Sequence, residues 1–490
     1  MREILFVSLA FVMSIGASAS TSAQNQGAAP AWIKDAVFYQ IFPERFANGD
    51  VTNDPPGTKE WGGKPTPRNY FGGDLSGILQ HLDYLSSLGI NALYLNPIFA
   101  SNSNHKYQTT DYRIIDPHFG DEPTFRELVD SCHARGIRII LDGVFNHTGV
   151  DFFAFAAAKK NGAHSRYKDW YTFHGFPVGP VSAPNYECWW GHGSLPKLNT
   201  QNPEVREYLF DVTRQWMETG IDGWRLDVPN EIPHEFWKEW RALVKSINPE
   251  AYIVGEIWDE AGPWLQGDEF DGVMNYRYRM ACVAFFADRS IDMMHFDSLL
   301  VQLRREYSDH VNASLLNLLD SHDTERFLTM CRGDVASWKL GLLFHMTYPG
   351  VPMLYYGDEV GMTGGKDPAC RGTMVWDPSL QNRDMLEYTR RIVRLRRSLP
   401  VLRHGGFTTL LTDGDRSLYA YMRRTNSSSA IVVLNCGNVQ QVVSIPAPPG
   451  EWRQVWPVEA KVEKSEHETI SLPVPPRAGI VITGEEERTR

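Results

Sequence analysis

Gly223-Trp224-Arg225-Leu226-Asp227-Val228-Pro229-Asn230-Glu231 is the stretch on which the fold turns. Its apolar and charged residues alternate, as in a half-buried strand, and Pro229 ends the pattern. Arg225 and Asp227 stand two apart, so on a strand both side chains leave by one face. A guanidinium beside a carboxylate favours the ionised form and lowers its pKa. That suits a carboxylate nucleophile or a stabiliser of a cationic transition state, although a purely structural Arg–Asp pair reads the same way.

Working outward, strands and helices alternate on both sides. Upstream come a strand over Val37 to Phe42, a helix over Gly77 to Gly89 and a strand over Ile90 to Leu95. A helix over Thr124 to Arg135, a strand over Ile137 to Val144 and a helix over Val205 to Glu218 follow. Downstream the order is helix His234 to Ser246, strand Tyr252 to Ile257, strand Gly272 to Tyr278 and helix Phe296 to Tyr307. Strand Ala313 to Leu319, helix Ala336 to Thr347 and strand Val351 to Tyr356 complete it. Eight strands interleaved with helices predict an α/β fold, a parallel (β/α)8 TIM barrel over residues 32–402, with a doubly wound open sheet as the alternative. No glycine-rich phosphate fingerprint follows the first strand, which argues against dinucleotide binding.

Residues 148–200 break the rhythm with Gly, Pro, Trp, Tyr and His, and are too long for an ordinary connection; they predict a subdomain inserted after the third strand. From 403 to 490 short β-rich runs lie among turns, predicting a C-terminal β-sandwich with strands over Leu418 to Met422, Ala430 to Leu434, Val442 to Ile445 and Ile480 to Ile482. Gln24 to Ala31 reads as a linker, and Glu485 to Arg490 as a frayed charged tail.

The 490 residues carry a net charge of -11 and no Lys/Arg stripe, which excludes nucleic acid as an expected partner. Residues 1–23 read as a signal peptide: a short charged start, an apolar run from Ile4 to Ala17, then Ala17-Ser18-Ala19 or Thr21-Ser22-Ala23 as cleavage sites. A periplasmic or secreted protein with no membrane association after processing is expected, with a retained N-terminal anchor as the alternative. The six cysteines have no paired short spacing, so they form no zinc site; buried free thiols and unassigned disulfides both remain open. The 15 Trp, 20 Tyr and 24 Phe could fill a core or line a sugar-stacking cleft.

In a parallel barrel the reacting groups sit at the C-terminal strand ends. Four strands end in charge there: Asp142-Gly143-Val144-Phe145-Asn146-His147, Arg225 with Asp227, Glu256 in Gly255-Glu256-Ile257-Trp258, and Asp320-Ser321-His322-Asp323. Carboxylates crowded together raise one another's pKa. Such crowding leaves one carboxyl ionised and another protonated at the same pH, the pairing that glycoside cleavage uses.

These four segments, in this order, resemble the short motifs of the α-amylase family (glycoside hydrolase family 13), and Leu195-Pro196-Lys197-Leu198-Asn199 resembles a fifth. The similarity runs from about Trp32 to Asp377. The resemblance implies a retaining α-glucan hydrolase in which Asp227 is the nucleophile, Glu256 the general acid/base and Asp323 the carboxylate that holds the distorted sugar ring. It implies that Arg225 orients Asp227, that His147 and His322 bind sugar hydroxyls and that Tyr107 stacks on the ring with Asp111 nearby. Asp142 and Asn146 would be supporting residues. Val228-Pro229-Asn230-Glu231 is similar to the Val-Ala-Asn-Glu of the neopullulanase, cyclomaltodextrinase and maltogenic amylase group, with Pro229 in place of Ala, and makes Glu231 a further substrate-binding residue. Expected substrates are maltodextrins, cyclodextrins or pullulan. The N-terminal β module that this group uses for dimerisation has no room here, and a monomer is expected.

Phe46-Ala47-Asn48-Gly49-Asp50-Val51-Thr52-Asn53-Asp54 and Phe71-Gly72-Gly73-Asp74 gather oxygen donors that suit calcium, or a turn-rich loop bonding its own backbone. Resemblance to the calcium loop of the same group implies a structural Ca2+ with Asn48, Asp50, Asn53, Asp54, Gly72 and Asp74 as candidate ligands. Two other functions use the same carboxylates or lose them: a transglycosylase or maltose-type isomerase, and a non-catalytic carbohydrate-binding relative. All three carboxylates are present, which disfavours the last.

Overall fold

The computed structural model describes residues 27–448, 450–462 and 469–485. The expected signal peptide lies outside these residues, as does the tail beyond Glu485. In chain order the first ten strands are β1 (Phe38–Ile41), β2 (Ala92–Leu95), β3 (Phe99–Ser101), β4 (Thr109–Ile115), β5 (Arg138–Gly143), β6 (Gly223–Leu226), β7 (Tyr252–Gly255), β8 (Gly272–Asn275), β9 (Leu316–Asn317) and β10 (Val351–Tyr355). Eight of them close a parallel barrel in the order β1-β10-β9-β8-β7-β6-β5-β2, while β3 and β4 form a hairpin outside it. Closure through β1 and β10 excludes the open sheet.

Alternate residues of each barrel strand face the interior or the helices. Phe38, Ala92, Ile140, Val254, Met274, Leu316 and Val351 fill the inside, while Tyr39, Leu93, Ile139, Trp224 and Ile253 pack outward. Gly223 fits because a Cβ there would meet the Tyr252 carbonyl oxygen at 2.0 Å. The bare backbone lets β6 and β7 approach at the base of the stretch that carries Arg225.

Several boundaries differ from expectation. The sixth barrel strand stops at Asn275, not Tyr278, because the Asn275 side chain accepts from the Tyr278 N–H (3.1 Å) and caps a helix over Tyr276–Cys282. The helix over Gly77 to Gly89 is two, Leu75–Gln80 and Leu82–Leu88, broken at His81. The helix Arg383–Ser398 is absent from the sequence reading; its dense arginines mask a buried face of Met385, Leu386, Thr389, Ile392 and Val393.

The region after β5 contains the helix Phe153–Asn161 and short 3-10 turns, packed by Phe155, Tyr171 and Tyr186. Its isolated bridge between His147 and Lys197 ties it to the end of β5. The C-terminal strands are β11 (Gly406–Asp413), β12 (Leu418–Arg424), β13 (Ser428–Asn435), β14 (Gln441–Pro446), β15 (Trp452–Trp456), β16 (Ala460–Val462), β17 (Thr469–Val474) and β18 (Ala478–Glu485). A sheet ordered β11-β12-β13-β18-β15-β16 packs on the pair β14-β17. The outer face of the six-stranded sheet, with Tyr419, Tyr421, Val432 and Val481, joins the barrel core. All six cysteines are free thiols, and among the described residues no helix is long and apolar enough to cross a membrane.

Candidate active site

The inward parity that places Phe38, Ala92 and Ile140 in an apolar layer places Gln40, Tyr94 and Asp142 one step higher, at the C-terminal rim. Asp142 is in register with Arg225 on the neighbouring strand. Glu256 and Asp227 lie just past the ends of β7 and β6 on the same inward side. Arg225 is fully buried at the centre of this layer. Its Nη1 donates to Asp142 Oδ1 (2.8 Å) and Asp227 Oδ1 (2.8 Å), and its Nη2 pairs with Glu256 Oε2 at 2.7 Å. One guanidinium therefore faces three carboxylates.

The three differ in what else they touch. Asp142 also accepts from the hydroxyls of Tyr94 (2.7 Å) and Tyr107 (2.8 Å), so its lone pairs are satisfied and it supports its neighbours. Glu256 accepts from the Val228 N–H (3.3 Å) and Trp258 Nε1 (3.0 Å). Val228, a β-branched residue, holds φ 37°, ψ 50° to deliver that N–H, a strained conformation of the kind that gathers at functional sites. Asp227 has Arg225 as its hydrogen-bond partner, with His147 Nε2 at 4.0 Å from its other oxygen.

The charge state of Asp227 departs from the sequence expectation. Burial raises its pKa well above the usual carboxylate value, and Glu256 and Asp142 add to the rise; Arg225, shared three ways, does not reverse it. Burial likewise raises Glu256, with Arg225 opposing and Asp323 adding to the shift. The pair titrates as a unit, and a proton remains on it at a higher pH than on isolated carboxyls. Asp323 goes the other way: burial would raise it, but His322, Arg371 and Arg225 outweigh that and hold it well below the usual range. Its carboxylate is 32% exposed, paired with His322 Nε2 (3.0 Å) and Arg371 Nη2 (3.0 Å).

The hydrogen bonds fix the tautomer of His322. Gln40 Nε2 donates to its Nδ1 (2.8 Å), so Nε2 carries the proton and is shared between the Tyr107 hydroxyl (2.8 Å) and Asp323. The Tyr107 and His322 rings lie parallel, 3° apart. Burial lowers His147 to a pKa of about 3, so it is neutral, and its buried Nε2 has no hydrogen-bond partner, leaving a polar atom free for a ligand. Glu231 stands at the rim, bonded to Lys197 Nζ at 3.1 Å. Asp111 is not brought into this network: it lies on β4, where its carboxylate accepts from the Arg113 N–H.

The chain matches the family model for the α-amylase catalytic domain over residues 40–397 and the one for the α-amylase C-terminal all-β domain over 411–485. The chain belongs to the α-amylase family. It is 53% identical over 422 residues to neopullulanase 2 of Thermoactinomyces vulgaris, an alignment covering 86% of this chain and 72% of that protein. It is 50% identical to a cyclomaltodextrinase of Thermoanaerobacter pseudethanolicus, over 85% and 72%. Among solved structures, cyclic alpha-maltosyl-(1→6)-maltose hydrolase of Arthrobacter globiformis superposes with a TM-score of 0.86 at 42% identity, covering 94% of this chain and all of that one. As a member of the α-amylase family the protein is a glycoside hydrolase.

Within this α-amylase site two kinds of residue escaped the sequence. Arg371 reaches Asp323 and the His322 carbonyl (2.8 Å) from a 3-10 turn 48 positions downstream, with no local signal. The aromatic rim was visible only as composition. Trp258, 41% exposed, stacks on Tyr276 at 3.7 Å, and Trp190, 78% exposed, stacks on Trp189, whose ring centre lies 5.8 Å from that of His147.

The Asn/Asp loops do come together. Asp74 accepts from the N–H groups of Gly49, Asp50 and Gly77 and from Asn53 Nδ2, and so serves as a helix cap. The Asp50 carboxylate turns to Thr52, and Asp54 accepts from Asn48 Nδ2 (2.9 Å). The buried Asn48 Oδ1 and Asn53 Oδ1 have no hydrogen-bond partner. Among the described residues no three His, Cys, Asp or Glu gather as metal ligands, so a cation here would need amide oxygens beside any carboxylate.

Proposed function

We propose that this enzyme cleaves α-1,4-glucosidic bonds, with α-1,6 bonds as a second target, in maltodextrins, cyclodextrins or pullulan, with retention at the anomeric carbon. The observation that carries the reading is the single Arg225 guanidinium facing Asp227, Glu256 and Asp142: it cannot neutralise all three, so the Asp227–Glu256 pair keeps a proton to give. Glu256 delivers that proton to the leaving glycosidic oxygen. Asp227, ionised while Glu256 holds the shared proton, attacks the anomeric carbon as its bond to that oxygen breaks, and forms a glycosyl-enzyme. Glu256 then takes a proton from water, which opens the ester and restores the acid. Two carboxyls held on one guanidinium suit the separation of about 5–5.5 Å that retaining cleavage uses. Asp323, ionised on the other wall, and the free His147 Nε2 would meet the hydroxyls of the same sugar, with Tyr107 against its face.

The test is product analysis of wild type and Glu256→Gln with pullulan, β-cyclodextrin and soluble starch. Panose or maltose from wild type and none from the variant supports the reading; near-wild-type activity in the variant removes Glu256 as the acid. Adding maltose as acceptor separates hydrolysis from transfer, since transfer yields longer products.

A structural calcium ion at this loop would take the unpartnered Asn48 Oδ1 and Asn53 Oδ1 with the Asp54 carboxylate, beside Gly72, where a Cβ would meet Asp54 Oδ1 at 2.1 Å, and with Asp50 and Asp74 shaping the loop. Chelator treatment should then lower Tm, and added Ca2+ should restore it. The apolar run from Ile4 to Ala17 and the small residues after it support export, which cell fractionation and N-terminal sequencing of the mature protein would check.

A further inference from the structure

Lys106 immediately precedes Tyr107 of the active-site wall, yet its side chain points to other partners. The rings of His105 and Tyr107, on either side of it in sequence, stack with centres 5.8 Å apart and planes inclined at 30°. Lys106 holds a left-handed φ of 64° and is fully buried. Its Nζ pairs with Asp116 Oδ2 at 2.8 Å and lies 4.8 Å from the Phe119 ring centre and 5.4 Å from that of Tyr70. Asp116 is itself buried and anchored, accepting from the Ser101 N–H (2.9 Å) and the His118 N–H (3.0 Å).

A buried lysine and a strained backbone both cost free energy, and neither touches the carboxylates of the site. What they fix is the turn that presents Tyr107, whose hydroxyl must reach Asp142 and His322 at 2.8 Å together. We propose that Lys106 is a positioning residue: its ion pair with Asp116 locks the loop so that the Tyr107 ring forms the floor of the sugar site. This rests on the reading of Tyr107 as part of that site. Lys106 lies in the loop that joins β3 to β4 and Asp116 one residue past the end of β4, so the pair ties the two ends of β4 together.

The test is a double-mutant cycle of Lys106→Met with Tyr107→Ala, reading kcat and KM well below the measured Tm of each variant. Lys106→Met is expected to lower kcat/KM by about tenfold to a hundredfold, mostly in kcat, because a small misplacement of a substrate-contacting ring is costly. In the Tyr107→Ala background the same substitution should change kcat/KM by less than about twofold, because its target is gone. Lys106→Arg should recover part of the loss. If the two effects multiply, or if Lys106→Met lowers Tm and leaves kcat/KM within about twofold of wild type, Lys106 is structural and the proposal is overturned. If Lys106→Met does not fold, Lys106→Met/Asp116→Asn removes both charges and enters the same cycle. If Tyr107→Ala itself keeps wild-type activity, the reading of Tyr107 fails, which is distinguishable from failure of Lys106 alone.

Discussion

The barrel rim and the C-terminal sandwich bury their side chains under opposite rules. Inside the sandwich, Leu418, Ile431, Val433 and Ile480 meet Val443, Ile445, Ile470 and Leu472, an apolar layer that stabilises wherever it packs. At the rim, Arg225, Asp142, Asp227 and Glu256 are all buried, with more negative than positive charge among them. An uncompensated buried carboxylate works against folding, and a sequence retains it where chemistry needs it. The contrast separates scaffold from site more sharply than exposure does.

The largest effect expected from this contrast is at Asp227. Asp227→Asn should reduce turnover on the order of a thousandfold or more, yet raise Tm at neutral pH. The sign follows from the raised carboxyl: its contribution to stability is present below its unfolded pKa and is lost as pH rises through the higher folded one. Removing the charge should relieve that cost, and calorimetry should find the gain shrinking towards acid pH. A Tm that falls instead would make the rim charges structural. At the opposite pole, Ile431→Ala should cost about 2–5 kcal/mol of stability while leaving turnover per folded molecule unchanged; lower turnover would show the two regions to be coupled.

Smaller effects concern pH. Burial holds His147, His105 and His345, all in the barrel, at a pKa of about 3. Each contributes stability that is present above the ordinary histidine pKa of about 6.5 and is lost as pH falls towards the folded value, by up to about 1.4 kcal/mol per pH unit. A series of chemical unfolding curves should show this acid slope, and His345→Gln should flatten it. The smallest expected change is at Trp258, whose Nε1 bond favours ionised Glu256. Trp258→Phe should raise the Glu256 pKa and move the alkaline limb of the rate profile to higher pH; a shift to lower pH would contradict the assignment of that limb to Glu256.

Much of this was legible because both regions are written in period two. Alternation in Gly223 to Asp227 placed Arg225 and Asp227 on one face, and the same rule brought Asp142 to Arg225 once their strands were neighbours. Asp111 stands outside the rim network, because nearness to Tyr107 along the chain says nothing of direction across a hairpin. The strand over Gly272 to Tyr278 ran long because the cap made by Asn275 overrides the β-preference of Tyr276 and Tyr278.

The sequence by itself determined the alternation of strands and helices, the β-rich C-terminal unit and which strand ends carry carboxylates, since periodicity and motif order are local properties of the chain. Only the tertiary structure decided how charge is shared at the rim. Three carboxylates meet one guanidinium there, so Asp227 is raised where its neighbour two residues away suggested the reverse. Arg371 arrives from a distant turn to hold Asp323 ionised, and Asp116 pairs with Lys106 from beyond the end of β4. Desolvation and long-range pairing depend on what surrounds a group in space, which no spacing along the chain records.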